Sequence, residues 1–354
     1  MTRPMAAPLG ALAQAGPDGL DAMGREIAEG PDAIAATLAA FEALRPQIAT
    51  LLDQAPRIVL VGTGASLAVI RITAPIWRRR ASQGVSLLGR QATEVALGDL
   101  DGVKIEATDL VIAISQSGAS PETLAAARLA RDAGTSVLAL TAHADSALAS
   151  TATLSVPLAS GEESGAATKS ALASLAAVLA IAGSLPTDAE HAGSLRAQLV
   201  ETATWAEAVE AAEKLAAARH TWMLGFGAED GIAAAASLLW HEKVIRPATA
   251  ATPSEFRHGL VEAVAPQDVV LLVIPPAGDT RVARYLDRLR GELRTLGVAV
   301  LELQATASEP GPAALELLFR AQHLARATAL AAGTYREGFA ILRRVVKPAD
   351  DLLG

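Results

Sequence analysis

Arg57-Ile58-Val59-Leu60-Val61-Gly62-Thr63-Gly64-Ala65-Ser66 reads as a short apolar strand, a glycine turn and the start of a helix running to Trp77. An unbroken apolar run suits a strand buried on both faces, as in parallel sheets, where alternation would mark a half-exposed one. The same design returns at His220-Thr-Trp-Met-Leu-Gly-Phe-Gly-Ala-Glu229, with a helix expected to reach Trp240. One constant shift without a gap carries Gly62, Gly64, Ala65 and Trp77 onto Gly225, Gly227, Ala228 and Trp240. The next strands also correspond, Asp109–Ile114 with Asp268–Ile274 and Gly134–Leu140 with Gly297–Leu303.

This internal duplication of a strand–helix–strand–helix–strand unit predicts an α/β protein with two parallel sheets, each flanked by helices in three layers. The expected organisation is a flexible N-terminal tail over 1–22, a first domain over 23–195, a second over 196–348 and a C-terminal tail over 349–354. A helix is expected from Asp32 to Leu44, an interdomain crossing near Thr187–Val200 and a long alanine-rich helix over Glu201–Ala218.

Composition narrows the function. The 354 residues are enough for two domains with real cores, and an apolar fraction of 51% excludes a mainly disordered chain. Thirty basic residues against 38 acidic ones give a net charge of −8, which argues against a nucleic-acid partner. The absence of cysteine excludes disulfides, thiolate metal sites and cysteine nucleophiles. Prolines and glycines interrupt any export signal in the N-terminal segment. The uncharged stretch Ser170–Thr187 contains Gly183 and Pro186 and reads as a buried helix, not a membrane span. A cytoplasmic protein without a membrane partner is the expectation.

The two halves differ where chemistry would sit. After its second strand the first half reads Ser115-Gln116-Ser117-Gly118-Ala119-Ser120-Pro121-Glu122-Thr123, whereas the second reads Pro275-Pro-Ala-Gly-Asp-Thr280. Ligands of open parallel sheets bind at the carboxyl ends of the strands. The serine loop would place hydroxyls, an amide and backbone N–H groups there, just ahead of a helix N-terminus, which makes a phosphate cradle without lysine. The competing reading is that Ser120 and its neighbours only cap a helix. Neither glycine turn completes the dinucleotide pattern, because Leu67 and Ile232 occupy the third glycine position, so no nucleotide cofactor is expected and Ser66 faces a ligand instead. Gly161-Glu-Glu-Ser-Gly-Ala166-Ala167-Thr-Lys is a second loop that opens a helix. Six histidines without ligand spacing predict no metal site. Glu242 and His258 could supply a proton-shuttling carboxylate and a ring-opening imidazole, against the bland alternative of a solvated glutamate and a structural histidine.

Together these segments resemble the sugar isomerase (SIS) domain family, in the tandem arrangement of the isomerase half of glucosamine-6-phosphate synthase and of standalone glucosamine-6-phosphate deaminases. The resemblance runs from about Met23 to about Pro348 and is carried by Ile114-Ser-Gln-Ser-Gly-Ala-Ser-Pro-Glu122, Gly161-Glu-Glu-Ser-Gly-Ala-Ala-Thr-Lys-Ser170 and Glu255-Phe-Arg-His-Gly259. It implies two tandem SIS domains of flavodoxin-like form, no cofactor and a homodimer with shared sites. The implied substrate is a hexose 6-phosphate or amino sugar phosphate. By this resemblance Ser115, Gln116, Ser117 and Ser120 hold phosphate, with Gly64 and Ser66 close by, and Ala166 and Ala167 are also substrate-binding. Glu242 moves a proton between C1 and C2, and His258 opens the ring. The chain departs from the family at three places: a family lysine ahead of the glutamate is Leu239, the proline after His-Gly is Leu260, and the C-terminal lysine aligns on Arg344, with Lys347 nearby. The implied reaction converts glucosamine 6-phosphate to fructose 6-phosphate and ammonia. The alternatives are a fructosamine-6-phosphate deglycase and a phosphosugar sensor that has lost catalysis.

Overall fold

The computed structural model describes residues 20–80, 85–100, 102–202, 205–276, 280–339 and 341. They fall into two compact units. One holds Glu29–Glu163 and Ala167–Ala197; the other holds Gln198–Glu337 with Ser164–Ala166 and the helix α1 (Ala22–Ala28).

The first unit opens with α2 (Gly30–Asp53) and continues β1 (Arg57–Gly62), α3 (Ala65–Arg80), β2 (Ser86–Gln91), α4 (Ala92–Ala96), β3 (Leu110–Ile114), α5 (Pro121–Asp132), β4 (Ser136–Thr141), α6 (Ala147–Thr151), β5 (Leu154–Pro157), α7 (Lys169–Ile181) and α8 (Ala189–Thr202). All strand pairings are parallel, in the order β2-β1-β3-β4-β5. The pleat divides the strand residues as period two demands. Val59, Val61, Val111, Ala113, Val137 and Ala139 share one face, where they pack with Val95, Ala126, Ala127, Ala130 and Leu148 from the helices. Alanines on α5 let it approach the sheet closely.

Helix α2 is longer than Asp32–Leu44. It passes through exposed Pro46, because Ile34, Leu38, Phe41 and Ile48 bury one face on both sides of the proline. Every residue of α7 is buried, as expected of Ser170–Thr187. The helix stops where Gly183 takes φ 63° and its N–H donates to Ala180 O (2.9 Å), while Ser184 N–H donates to Leu179 O (2.8 Å). That paired pattern is a Schellman stop, which needs glycine's left-handed freedom. No helix among the described residues is long and apolar enough to cross a membrane.

The second unit runs α9 (Trp205–Ala217), β6 (Thr221–Leu224), α10 (Ala228–Leu239), a π turn (Trp240–Val244), β7 (Ala248–Ala251), α11 (Pro253–Arg257), a 3₁₀ turn (Leu260–Ala263), β8 (Val269–Ile274), α12 (Thr280–Thr295), β9 (Ala299–Gln304) and α13 (Pro310–Ala331). Its sheet is parallel with the order β7-β6-β8-β9. Trp222, Leu224, Val270 and Leu272 pack against Leu286, Leu289 and Leu293, which line one face of α12 at helical spacing. The segment Thr187–Val200 is largely helical as α8, and the helix expected over Glu201–Ala218 includes α9, with residues 203–204 outside the described residues.

The two sheets share a device at their amino edges. Arg57 and Asp109 meet through two bonds (Nε–Oδ1 2.8 Å, Nη2–Oδ2 2.6 Å), and Arg57 also donates to Lys104 O. Arg219 and Asp268 repeat this (2.8 and 2.7 Å), with Arg219 donating to Ala263 O. In each case the aspartate also accepts a backbone N–H, from Glu106 or from Ala265.

Candidate active site

In the first sheet β1 and β3 are neighbours whose connections leave in opposite directions, to β2 and to β4. Such a switch point opens a crevice at the carboxyl edge. The loops Gly62–Ser66 and Ser115–Ser120 both end there.

The serine loop is shaped by its backbone. Gly118 N–H donates to Ser115 O (3.0 Å), closing a turn, and Gly118 takes φ 61°. The carbonyls are spent inward: Gln116 O accepts from Ala142 N (2.9 Å) and Thr141 Oγ1 (3.1 Å), and Gly118 O accepts from Leu148 N (3.0 Å). A Cβ at Gly118 would fall 2.1 Å from Ser146 Oγ, so only glycine fits. Ser115 is buried, Gln116 and Ser120 are half-buried and Ser117 is exposed. Ser120 holds the N-cap position of α5 but makes no side-chain cap; its hydroxyl donates to Glu122 (3.2 Å) instead. The purely capping explanation of Ser120 therefore fails. In the companion loop Gly64 takes φ 58° with open space beside it, Ser66 N–H donates to Thr63 O (3.1 Å), and Ser66 is half-buried.

The loop before α7 is organised differently. Glu163 folds back so that its carboxylate accepts from Thr168 N–H (2.9 Å), Thr168 Oγ1 (3.0 Å), Ser170 N–H (3.1 Å) and the Ser170 hydroxyl. That helix N-terminus already holds an anion, its own. Ala167 is half-buried in this loop, and Gln116 Nε2 reaches Gly161 O (3.3 Å). Ala166 is fully buried. Lys169 is buried against Glu29 (2.5 Å). Sequence reasoning does not find Glu163, since the fold-back depends on a turn that no residue spacing announces.

In the second unit Glu242 lies on the π turn that ends α10. Ile245 N–H reaches back to Trp240 O (2.7 Å), closing a loop one residue wider than an α turn. Burial pushes the Glu242 carboxyl up to about 7, with Lys243 pulling the other way. A buried, raised carboxyl of this kind differs from a solvated surface glutamate.

His258 is exposed at the C-cap of α11, and its neighbours explain its placement. Thr252 Oγ1 accepts from Glu255 N–H (3.2 Å) while Glu255 accepts from Thr252 N–H (2.9 Å), a reciprocal capping box that starts the helix. The signal that could have found this helix start is the spacing Thr252-Pro-Ser-Glu255. Phe256 is buried edge-on to Trp222 (5.5 Å). Arg257 grips Glu292 with two bonds of 2.8 Å and lies 5.5 Å from the Tyr285 ring centroid. Glu255, Phe256 and Arg257 thus build the platform, and the His258 side chain stays exposed beside it.

Glu242 and His258 do not meet at one end of this sheet. Helix α10 returns the chain from the carboxyl edge of β6 to the amino edge, where Glu242 precedes β7, and His258 follows β7 at the carboxyl edge. At the positions where the chain departs from the family, Leu239 is buried at the end of α10 and Leu260 packs against the Trp222 core. Arg344 and Lys347, the other expected catalytic residues, lie outside the described residues. Among the described residues no group of three or more His, Asp or Glu could hold a metal ion.

Comparison with known proteins places these features. Over 270 residues, 65% of this chain and 87% of the relative, the sequence is 29% identical to an N-acetylmuramic acid 6-phosphate etherase of Streptomyces avermitilis. It is 30% identical over 290 residues to a glutamine–fructose-6-phosphate aminotransferase (isomerizing) of Pyrobaculum aerophilum, covering 77% of this chain and 47%, about half, of the relative. The fold matches the C-terminal domain of the glucosamine-fructose-6-phosphate aminotransferase of Francisella tularensis with a TM-score of 0.76 and 23% identity, over 92% of this chain and all of that one. Residues 92–184, which span α4 to α7 and include the serine loop, match the SIS domain. By that match residues 92–184 of the chain are a SIS domain.

Proposed function

We propose that the protein is a phosphosugar aldose–ketose isomerase of the deaminating kind, acting on glucosamine 6-phosphate. One observation carries the reading: the partly buried Glu242 carboxyl, raised to about 7, which can both take and return a proton near neutrality. The serine loop supports it with an uncapped helix N-terminus suited to a phosphate.

In this reading Ser115, Gln116, Ser117 and Ser120 anchor the 6-phosphate, with Gly64 and Ser66 beside it, and Ala166 and Ala167 belong to the loop next to the sugar. His258 relays the proton that opens the ring. Glu242 then removes the C2 proton of the open-chain aldose and delivers it to C1. The product is a C2 imine, and water hydrolyses it to the ketose and ammonia. Arg344 and Lys347, which lie outside the described residues, are proposed as the further catalytic residues. The second domain is proposed to be a SIS domain as well, on the strength of the repeated Arg–Asp device. The working form is proposed to be a homodimer.

The etherase relative favours a second reading. The same proton abstraction at C2 would expel an ether substituent from C3. Incubation with glucosamine 6-phosphate, fructosamine 6-phosphate and N-acetylmuramic acid 6-phosphate separates these readings. Ammonia with fructose 6-phosphate supports the deaminase, a free amine the deglycase, and lactate the etherase. Tight binding with no exchange of the C2 proton would leave only a sensor, a result consistent with Leu239 and Arg344 in place of family lysines.

A further inference from the structure

The π turn carrying Glu242 does not hold itself. Ile245, which ends it, sits at φ 53°, ψ 44°. A β-branched residue rarely adopts this left-handed conformation, and here it gains little burial, being 42% exposed. The restraint comes from the segment Thr334–Glu337, just beyond α13. Thr334 Oγ1 donates to Val244 O (2.7 Å). Lys243 Nζ donates to Arg336 O (3.2 Å) and lies 5.7 Å from the centroid of the Tyr335 ring. Lys243 is only 1% exposed, although lysine is among the residues least often buried. Tyr335 is tied in turn: its hydroxyl accepts from Met23 N–H (3.3 Å) and donates to Glu337 (3.3 Å), which also accepts from Ala22 N–H (3.1 Å).

Resting on the reading of Glu242 as the proton carrier, we propose that Lys243 is a positioning residue: its buried ammonium, seated on the Arg336 carbonyl and the Tyr335 ring, pins the π turn to the Thr334–Glu337 segment and keeps a cation beside the Glu242 carboxylate. The groups around it are consistent with a retained charge. Glu242 adjoins it on the turn, Glu337 and Tyr335 face it from the segment, and Glu26 and Asp21 face it from α1 and the residues before it. Arg326, on α13, pairs with Asp21 (2.9 Å). Desolvation lowers the Lys243 ammonium from its ordinary value, while the carboxylates of Glu337, Glu242, Glu26 and Asp21 hold it up.

The test reads Glu242 with and without turnover. Lys243→Met keeps the apolar stem and removes the cation, whereas Lys243→Arg keeps the charge. In Lys243→Met the acid limb of the pH–rate profile should move up by about one pH unit, with kcat at neutral pH down ~10-fold and KM nearly unchanged. Lys243→Arg should restore most of the loss. Independently, carboxyl ¹³C NMR of the full chain follows the Glu242 resonance, identified by its loss in Glu242→Gln. Its titration midpoint should rise in Lys243→Met. An unmoved midpoint overturns the proposal whatever the enzyme's reaction proves to be. A raised midpoint in a protein that turns over no sugar phosphate supports the role of Lys243 and sinks the isomerase reading alone. Should Lys243→Met fail to fold, Tyr335→Leu takes the ring from beside the ammonium and should move the midpoint the same way; no movement there overturns the proposal equally.

Discussion

In the proposed role Glu242 must be charged to take a proton and neutral to give it back, and burial sets the balance between the two. Because its folded-state value of about 7 lies above the ordinary 4.5, the folded protein binds this proton more tightly than the unfolded chain. Its presence therefore leaves stability untouched below about 4.5 and lowers it progressively as pH rises toward 7. Glu242→Gln removes that penalty together with the base. The melting temperature of the variant relative to the parent should grow between pH 4.5 and 7 and then level off, in thermal scans across that range. Turnover should fall at least ~10²-fold with sugar-phosphate binding nearly unchanged. A variant that loses turnover without any pH-dependent gain would mean that Glu242 is not held protonated by burial. In the serine loop, Ser115→Ala combined with Ser117→Ala should weaken sugar-phosphate binding while the fold survives, since a hydroxyl bonded to a charged group contributes ~1.5–3 kcal/mol. Calorimetry showing unchanged affinity would remove this loop from the site.

At the scale of elements, the strands that read as unbroken apolar runs are legible from the sequence: Arg57–Val61, Leu110–Ile114 and Val269–Ile274 each lie in a sheet interior. Of the outer strands only β9 is, as the Gly297–Leu303 run; the other three are not. Ser86–Gln91, Leu154–Pro157 and Ala248–Ala251 are short, mixed in polarity and recognisable only by the neighbours they pair with. Helix α2 outruns its expected end because buried Ile48 rewards continuing past Pro46. The serine loop can be read from its density of hydroxyls, since capping alone does not call for so many. Glu163 and Lys243 escape such a reading because their partners are fixed by three-dimensional turns and not by spacing. Two element-level predictions follow from geometry. Gly118→Ala forces a left-handed φ on a residue whose Cβ would meet Ser146, so it should lower the denaturant midpoint and reduce phosphate affinity at least ~10-fold. Thr252→Ala breaks the capping box of α11 and should cost about 1 kcal/mol in urea unfolding. An unaltered midpoint would mean that the platform under His258 is held by Phe256 and Arg257 without help from the cap.

For the whole molecule the decisive fact is that β7 separates Glu242 from His258. Three strand steps alone amount to roughly 10 Å, and the two residues flank opposite ends of the strand. One sugar spanning both within a single chain is hard to arrange, whereas two copies could pair the Glu242 of one with the His258 of the other. Mixing inactive Glu242→Gln with inactive His258→Ala chains should then restore measurable turnover in heterodimers. Silence in the mixture, or a monomer by sedimentation at working concentration, would end the shared-site arrangement.

The π turn after α10 also has a consequence in terms of inheritance. Its closing loop holds one residue more than a regular helical turn, so the aim of Glu242 depends on a count and not on the identity of any one residue. Deleting a residue between Trp240 and Val244 would restore ordinary winding and swing the chain beyond it by about 100°. No series of substitutions passes gradually between those two aims; a single codon separates them. Chains descended from a common ancestor with this one should therefore sort into two discrete lengths through this helix, and a change in the chemistry they perform should coincide with the step.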